Sequence, residues 1–221
     1  YHQQQQYQQP QNPQHQQNQR NYAPPVYQTQ QQYSQFMQFA QFQQPKNDKP
    51  SDSQKVHKLK LELYNIQNEG DRYDTLMRQL LTSGFVFTVS DVVYILSLFP
   101  QNFQGRSLLL TEMVKQRHIY YAGPAAIGHL VLAKDLWDTP DQRIKVLDIV
   151  YRTGGTRGPN VDCSTLFTII QLFQNYEHLK IKALELMNYA IIDGSVNGQM
   201  VANLFTTKET VTKAKSILRI K

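Results

Sequence analysis

Few side chains in this sequence have the type and spacing that chemistry requires. Cys163 is the only cysteine. It stands just before the apolar run LFTIIQLF, where a helix N-terminus can lower a thiol pKa. No base lies beside it in sequence, so a capping or core role is expected. One cysteine excludes an intramolecular disulfide, and no Cys/His pattern has the spacing of a zinc site. Asp135, Asp138 and Asp141 flank Trp137, but without the Gly turn and terminal Glu of a calcium loop they are not expected to hold a cation. His118, Tyr120 and Tyr121 form an aromatic-polar cluster read as helix-end packing. His129 and His178 have no ligand partner at i+4. The run GGTRG at 154–158 suggests a phosphate loop but lacks the Lys-Ser/Thr and the preceding strand, so a loop between helical units is expected. Walker, GxGxxG, HExxH, GxSxG and EF-hand signatures are absent. The expectation is a non-enzyme with no catalytic residue, cofactor-binding residue or metal ligand.

The basic residues carry more pattern. From Val56 onward apolar positions follow helical spacing, and five segments align. Each has a Leu followed by an aromatic, a polar gap, a basic residue, and a Leu or Ile four positions later. They are Leu63-Tyr64 with Arg72 and Leu76, Leu98-Phe99 with Arg106 and Leu110, Leu136-Trp137 with Arg143 and Leu147, Leu172-Phe173 with Lys180 and Leu184, and Leu204-Phe205 with Lys213 and Ile217. Successive Leu anchors lie 35, 38, 36 and 32 residues apart. Arg72, Arg106, Arg143, Lys180 and Lys213 hold equivalent positions, and a solenoid would line them up as one surface stripe suited to a polyanion. Glu112, Asp141, Asp148 and Glu177 are near enough in sequence to neutralise part of it.

The elements that would position these residues follow from the same pattern. Each unit is expected to be a helix ending near the Leu-aromatic pair, a turn, and a second helix opening before the basic residue. Ser90 and Asp91 are expected to cap DVVYILSLF, and PQNFQG to form the turn after it. Thr139-Pro140-Asp141 is a helix start with Pro at the first position. Asp162-Cys163-Ser164 precedes LFTIIQLF, and QNYEH leads into LKIKALELMNYAII. The expected fold is all-α: helical-hairpin repeats stacked as a short solenoid over residues 56–221, sharing one core built on the Leu-aromatic anchors.

A different composition precedes this domain. Residues 1–45 contain Arg20 as their only fixed charge, and nearly half are Gln. Such a stretch cannot bury enough apolar surface to offset its backbone entropy and is expected to be disordered. Tyr1, Tyr7, Tyr22, Tyr27, Tyr33, Phe36, Phe39 and Phe42 recur along it. Spaced aromatics in a Gln-rich background favour weak multivalent self-association. Residues 46–55 read as a charged linker. All 17 acidic residues and 22 of the 23 Lys and Arg lie from Lys46 onward, a net charge of +5 there. That balance is compatible with a polyanion without requiring one. No apolar run approaches the ~18 residues of a membrane span. Position 1 is Tyr rather than Met, as a removed leader or a fragment start would leave it.

The segments SDVVYILSLFPQNFQGRSLLL, CSTLFTIIQLFQNYEHLKIKALELM and GQMVANLFTTKETVTKAKSIL resemble the DUF4476 family, a domain family of unknown function, over roughly residues 70–220. The resemblance implies an α-helical domain and supplies no catalytic residue. The run RTGGTRGPNVD departs from a compact repeat. The expected function is that of a secreted structural protein of an extracellular matrix, mineralised shell included. Its tail would self-associate while its helical domain binds a protein or matrix polymer. The alternative is an intracellular adaptor or RNA-associated condensate scaffold, although no RNP, KH or stacking motif supports nucleic-acid reading.

Overall fold

The computed structural model describes residues 49–99, 103–153, 158–192, 194 and 196–220. The tail expectations on residues 1–45, and most of the GGTRG run, lie outside them.

Helices dominate the described residues. They are α1 (Ser53–Asn65), α2 (Glu69–Ser83), α3 (Val89–Ser97), α4 (Phe103–Lys115), α5 (Ala126–Val131), α6 (Pro140–Asp148), α7 (Cys163–Gln171), α8 (Glu177–Met187), α9 (Gly198–Leu204) and α10 (Lys208–Leu218). A π-turn (Ile149–Thr153) continues α6, and a 3-10 turn (Asn188–Ala190) continues α8. Each odd-numbered helix and the even-numbered helix after it form a packed pair, one pair for each of the five sequence units.

The helix starts are written locally. Asp52 accepts hydrogen bonds from the Gln54 and Lys55 amides, and Asn68 accepts from Gly70 and Asp71. Thr139, Asp162, Asn197 and Thr207 cap α6, α7, α9 and α10 through their side-chain oxygens. Each thereby satisfies an amide that the first turn leaves without a partner. Three boundaries differ from expectation. Because Asp52 caps α1, the expected limit at 55/56 falls inside a helix. The cap of α3 is Thr88 rather than Ser90. Thr88 forms a reciprocal capping box with Asp91, which sits three positions into the helix and accepts from the Thr88 amide at 3.2 Å. Phe103 opens α4, so part of the expected turn PQNFQG is helical.

The helix ends are as regular. α2 stops at Gly84 in the left-handed region, φ 57°. Arg117 takes the same conformation after α4, φ 57°, and Arg219 after α10, φ 55°. In both arginine caps the next residue's amide reaches back five residues, His118 to Met113 at 2.8 Å and Ile220 to Lys215 at 3.0 Å. That is the Schellman closure of a helix C-terminus.

Pairs contact one another in sequence order. α1 packs on α3, α3 on α5, α5 on α7 and α7 on α9; α4 packs on α6, α6 on α8 and α8 on α10. The segments leading into successive odd helices also touch. Ser51 donates to the Val86 carbonyl at 2.7 Å and Phe87 to the His118 carbonyl at 2.7 Å. The second contact opens a two-residue parallel ladder, β1 (Phe87–Thr88) with β2 (Ile119–Tyr120). Val161 and Ile191 form an equivalent parallel bridge before α7 and α9.

The core is formed by the faces that the odd and even helices turn to each other. Leu76, Leu110, Leu147 and Leu184, each four residues beyond its unit's basic residue, are fully buried. Phe99, Trp137, Phe173 and Phe205 are buried too. The Trp137 indole N–H donates to the Leu130 carbonyl at 2.9 Å, which removes the penalty of burying it. Two departures stand among the expected anchors: Leu98, Leu172 and Leu204 are only half-buried, and the Tyr64 ring is exposed, because α1 has no preceding pair against which to bury it among the described residues.

Candidate functional site: cations between the helical units

Four of the five aligned basic residues are the fourth residue of their even helix, and Lys213 is the sixth of its own. A cation in a first turn opposes the helix dipole. Helical side chains lean toward the N-terminus, however, and from this position they reach the C-terminal end of an adjacent odd helix. That end carries carbonyls without intrahelical partners.

The contacts show this. The Arg72 guanidinium donates to the Leu63 carbonyl at 3.0 Å, to the Ile66 carbonyl at 2.6 Å and to the Leu98 carbonyl. It therefore closes the end of its own unit's α1 and the end of the next unit's α3. Arg106 donates to the Asp135 carbonyl beside the next anchor pair at 3.3 Å. Lys180 donates to the Leu204 carbonyl of the next unit at 2.8 Å and to Glu177 at 2.7 Å. Each of the three also lies over the next unit's anchor ring: Arg72 over Phe99 at 5.8 Å, Arg106 over Trp137 at 5.7 Å and Lys180 over Phe205 at 5.8 Å.

The remaining two differ. Arg143 donates to its own unit's Trp137 carbonyl at 3.1 Å. Lys213, on an exposed face, pairs with Glu185 at 3.3 Å. The five basic residues thus do not form the single accessible stripe that equivalent positions suggest. Arg106 and Lys180 are only 4% and 5% exposed, with their charges turned into the junctions. Sequence spacing locates such residues but does not tell which way their side chains point. Among the described residues, Glu177 is the one of Glu112, Asp141, Asp148 and Glu177 with an ion pair to an aligned cation, while Glu112 pairs with Lys115 and Asp148 with Lys145 and Arg152.

Glu177 also joins two units. Besides Lys180 it accepts from the Thr206 amide at 3.2 Å and the Thr210 hydroxyl at 2.8 Å. Burial pushes this carboxyl up, but the hydrogen bonds from Lys180, Thr210 and Thr206 outweigh it and hold it below the ordinary value. At the other end Lys60 of α1 pairs with Asp91 of α3 at 2.8 Å and lies over the Tyr94 ring at 4.6 Å. Burial raises Asp91 as well, and its bonds from Lys60 and Thr88 bring it below its usual range.

The other chemical candidates are not assembled into a site. Cys163 is the buried first residue of α7. His118 is buried, its Nδ1 bonded to the Phe85 carbonyl, and burial lowers its pKa against the opposing pull of that bond. Tyr121 has a buried hydroxyl without a partner, and the Tyr151 hydroxyl donates to the Pro159 carbonyl at 3.1 Å. Burial raises both phenols. Among the described residues no cluster of His, Cys, Asp and Glu is placed to hold a metal ion, Asp135, Asp138 and Asp141 included. No helix among them is long and apolar enough to cross a membrane. No family model, curated protein or solved structure matches this chain.

Proposed function

We propose that this protein is a non-enzymatic structural scaffold, a short solenoid of stacked helical hairpins that binds a protein or matrix polymer. The Gln-rich tail adds weak multivalent contacts, and the setting is an extracellular matrix. The observation that carries the reading is the junction cation. Arg72, Arg106 and Lys180 each join one hairpin to the next, through a carbonyl at or beside the anchor pair and through the anchor ring. Such residues hold the hairpins in a stack, and stacked repeats create the extended surface on which a partner docks. The matrix setting is supported by the Gln, Tyr and Pro content of residues 1–45.

The inward-turned cations count against a polyanion-binding scaffold. The full chain is therefore expected to show no RNA binding with the steep salt dependence of phosphate contacts. The tail's role is tested in the full chain with Tyr1, Tyr7, Tyr22, Tyr27, Tyr33, Phe36, Phe39 and Phe42 replaced by Ser. Light scattering at rising concentration should show large polydisperse networks for the parent chain and their loss in the variant, with unchanged helical circular dichroism. Equal scattering from both chains would end the tail's part in the reading, and salt-sensitive RNA binding would replace it with the condensate scaffold.

A further inference from the structure

The two sets of helices differ in what they show to solvent. The even helices α4, α6, α8 and α10 expose charges of both signs, among them Asp141, Lys145, Lys182, Glu185, Lys208 and Glu209. The odd helices α3, α5, α7 and α9 contain no Lys, Arg or Glu, and their one Asp, Asp91, is held by Lys60 at 2.8 Å. What these four expose is uncharged and polar. On α3 it is Ser90, Tyr94 and Ser97, and on α7 it is Ser164, Thr168 and Gln171. Spacing of i, i+4 and i+7 puts each set on one side of its helix, and the two sets hold equivalent positions relative to Leu98 and Leu172. α5 packs between these two helices and exposes His129, while α9 packs on α7 and exposes Gln199 and Asn203. Each odd helix turns its buried side to an even helix, so the exposed rows share the opposite side. They lie side by side at the ordinary helix spacing of about 8–10 Å.

We propose that this face of α3, α5, α7 and α9 binds an uncharged polysaccharide. The proposal rests on the matrix-polymer reading above and names the class of the polymer. A charged polymer would lose hydration on this face without meeting a counter-charge. An apolar partner needs a contiguous apolar patch, which the hydroxyls and amides interrupt. A neutral sugar chain carries hydroxyl groups that both donate and accept, and it needs acceptors and donors in return. The face supplies both. The Ser97 hydroxyl donates to the Tyr94 carbonyl at 2.6 Å and the Thr168 hydroxyl to the Ser164 carbonyl at 2.9 Å. With their protons directed into their own helices, these two oxygens act as acceptors. Gln199 Nε2 donates to Asn203 Oδ1 at 3.3 Å, which leaves the Asn203 amide nitrogen to donate, as the Gln171 amide does. Tyr94 adds a hydroxyl and a ring edge. Lys60 lies over its ring at 4.6 Å, and that charge is already balanced by Asp91.

The test is depletion of the full chain from solution by insoluble cellulose and by chitin, both uncharged. The parent should be retained, and its Kd should change less than about twofold between ~0.05 and ~0.5 M NaCl, because no ion pair forms. The variant Ser90→Glu/Ser164→Glu/Thr168→Glu puts carboxylates into the face at exposed helical positions, where Glu is a good helix former. It should bind at least about tenfold more weakly, and Thr168→Glu alone about threefold, both with the circular dichroism of the parent. Lys182→Glu, on the charged side, should bind as the parent does. A parent retained by neither polymer, or a triple variant retained as well as the parent, would overturn the proposal. So would retention that falls steeply with salt, or retention lost with the tail substitutions above and kept in the triple variant. The tail's network is read separately by light scattering, so the scaffold reading stands or falls apart from this face.

Discussion

Arg72 shows how one side chain can replace several capping groups. Its three nitrogens reach carbonyls at the ends of two helices, and only a planar fork with fixed donor directions can do that from one position. Arg72→Met should lower unfolding free energy by about 2–3 kcal/mol, because half-buried carbonyls lose charged donors. Arg72→Lys should recover only part of this, since a single ammonium cannot span all three. Denaturant titration of the parent and both variants, followed by the fluorescence of Trp137, the chain's only tryptophan, checks the order. Equal stability of Met and Lys variants would show that the fork geometry contributes nothing. The position of Arg72 was legible in the sequence from its register with Leu63-Tyr64. Its direction was not, because a cation six to eight residues past an anchor fits water and a carbonyl equally well.

Among the elements, α3 and α7 are short and apolar, and their starts depend on local capping. α3 has nine residues, too few for stability outside its packing. Thr88 serves it twice: its hydroxyl accepts from the Asp91 amide at 3.2 Å, and its backbone extends β1. Thr88→Ala should cost about 1–2 kcal/mol, and Thr88→Ser should restore most of it, as measured by thermal and urea unfolding. A neutral Thr88→Ala would mean that packing of Val92, Ile95 and Leu96 alone fixes the start. Thr139-Pro140 and Asp162 were readable as starts because each cap immediately precedes an apolar-periodic run. Thr88 was obscured by Ser90, an equally good cap two residues too late. The two-residue strands left no periodicity to read, since alternation needs at least four residues.

Across the whole molecule, three groups at or between units set how stability follows pH. His118 has a folded-state pKa below its ordinary 6.5 because burial disfavours its charged form. As pH falls through 6.5 the unfolded chain takes up the proton first, so this contribution is full above that value and is lost on acidification. Asp91 and Glu177 are held below their ordinary 3.8 and 4.5. Their contribution is present above those values and is lost as pH falls through the lowered ones. Stability should therefore decline in two windows, one opening near pH 6.5 and one near pH 4. His118→Gln should flatten the first and leave the second. Urea midpoints of both chains between pH 7.5 and pH 3 measure this, and an unchanged upper slope in the variant would assign it to another group.

The sequence by itself determined the helical class and the starts of α6 and α7. Those features arise from apolar periodicity and from caps acting within one turn, which are local properties of the chain. Only the tertiary structure decided that Arg106 and Lys180 turn inward, that Arg143 stays within its own unit, and that Tyr64 lies open. Each of those outcomes depends on which helix end lies beside the residue, and neighbours 24 to 29 residues away are brought there by packing, which local periodicity does not encode.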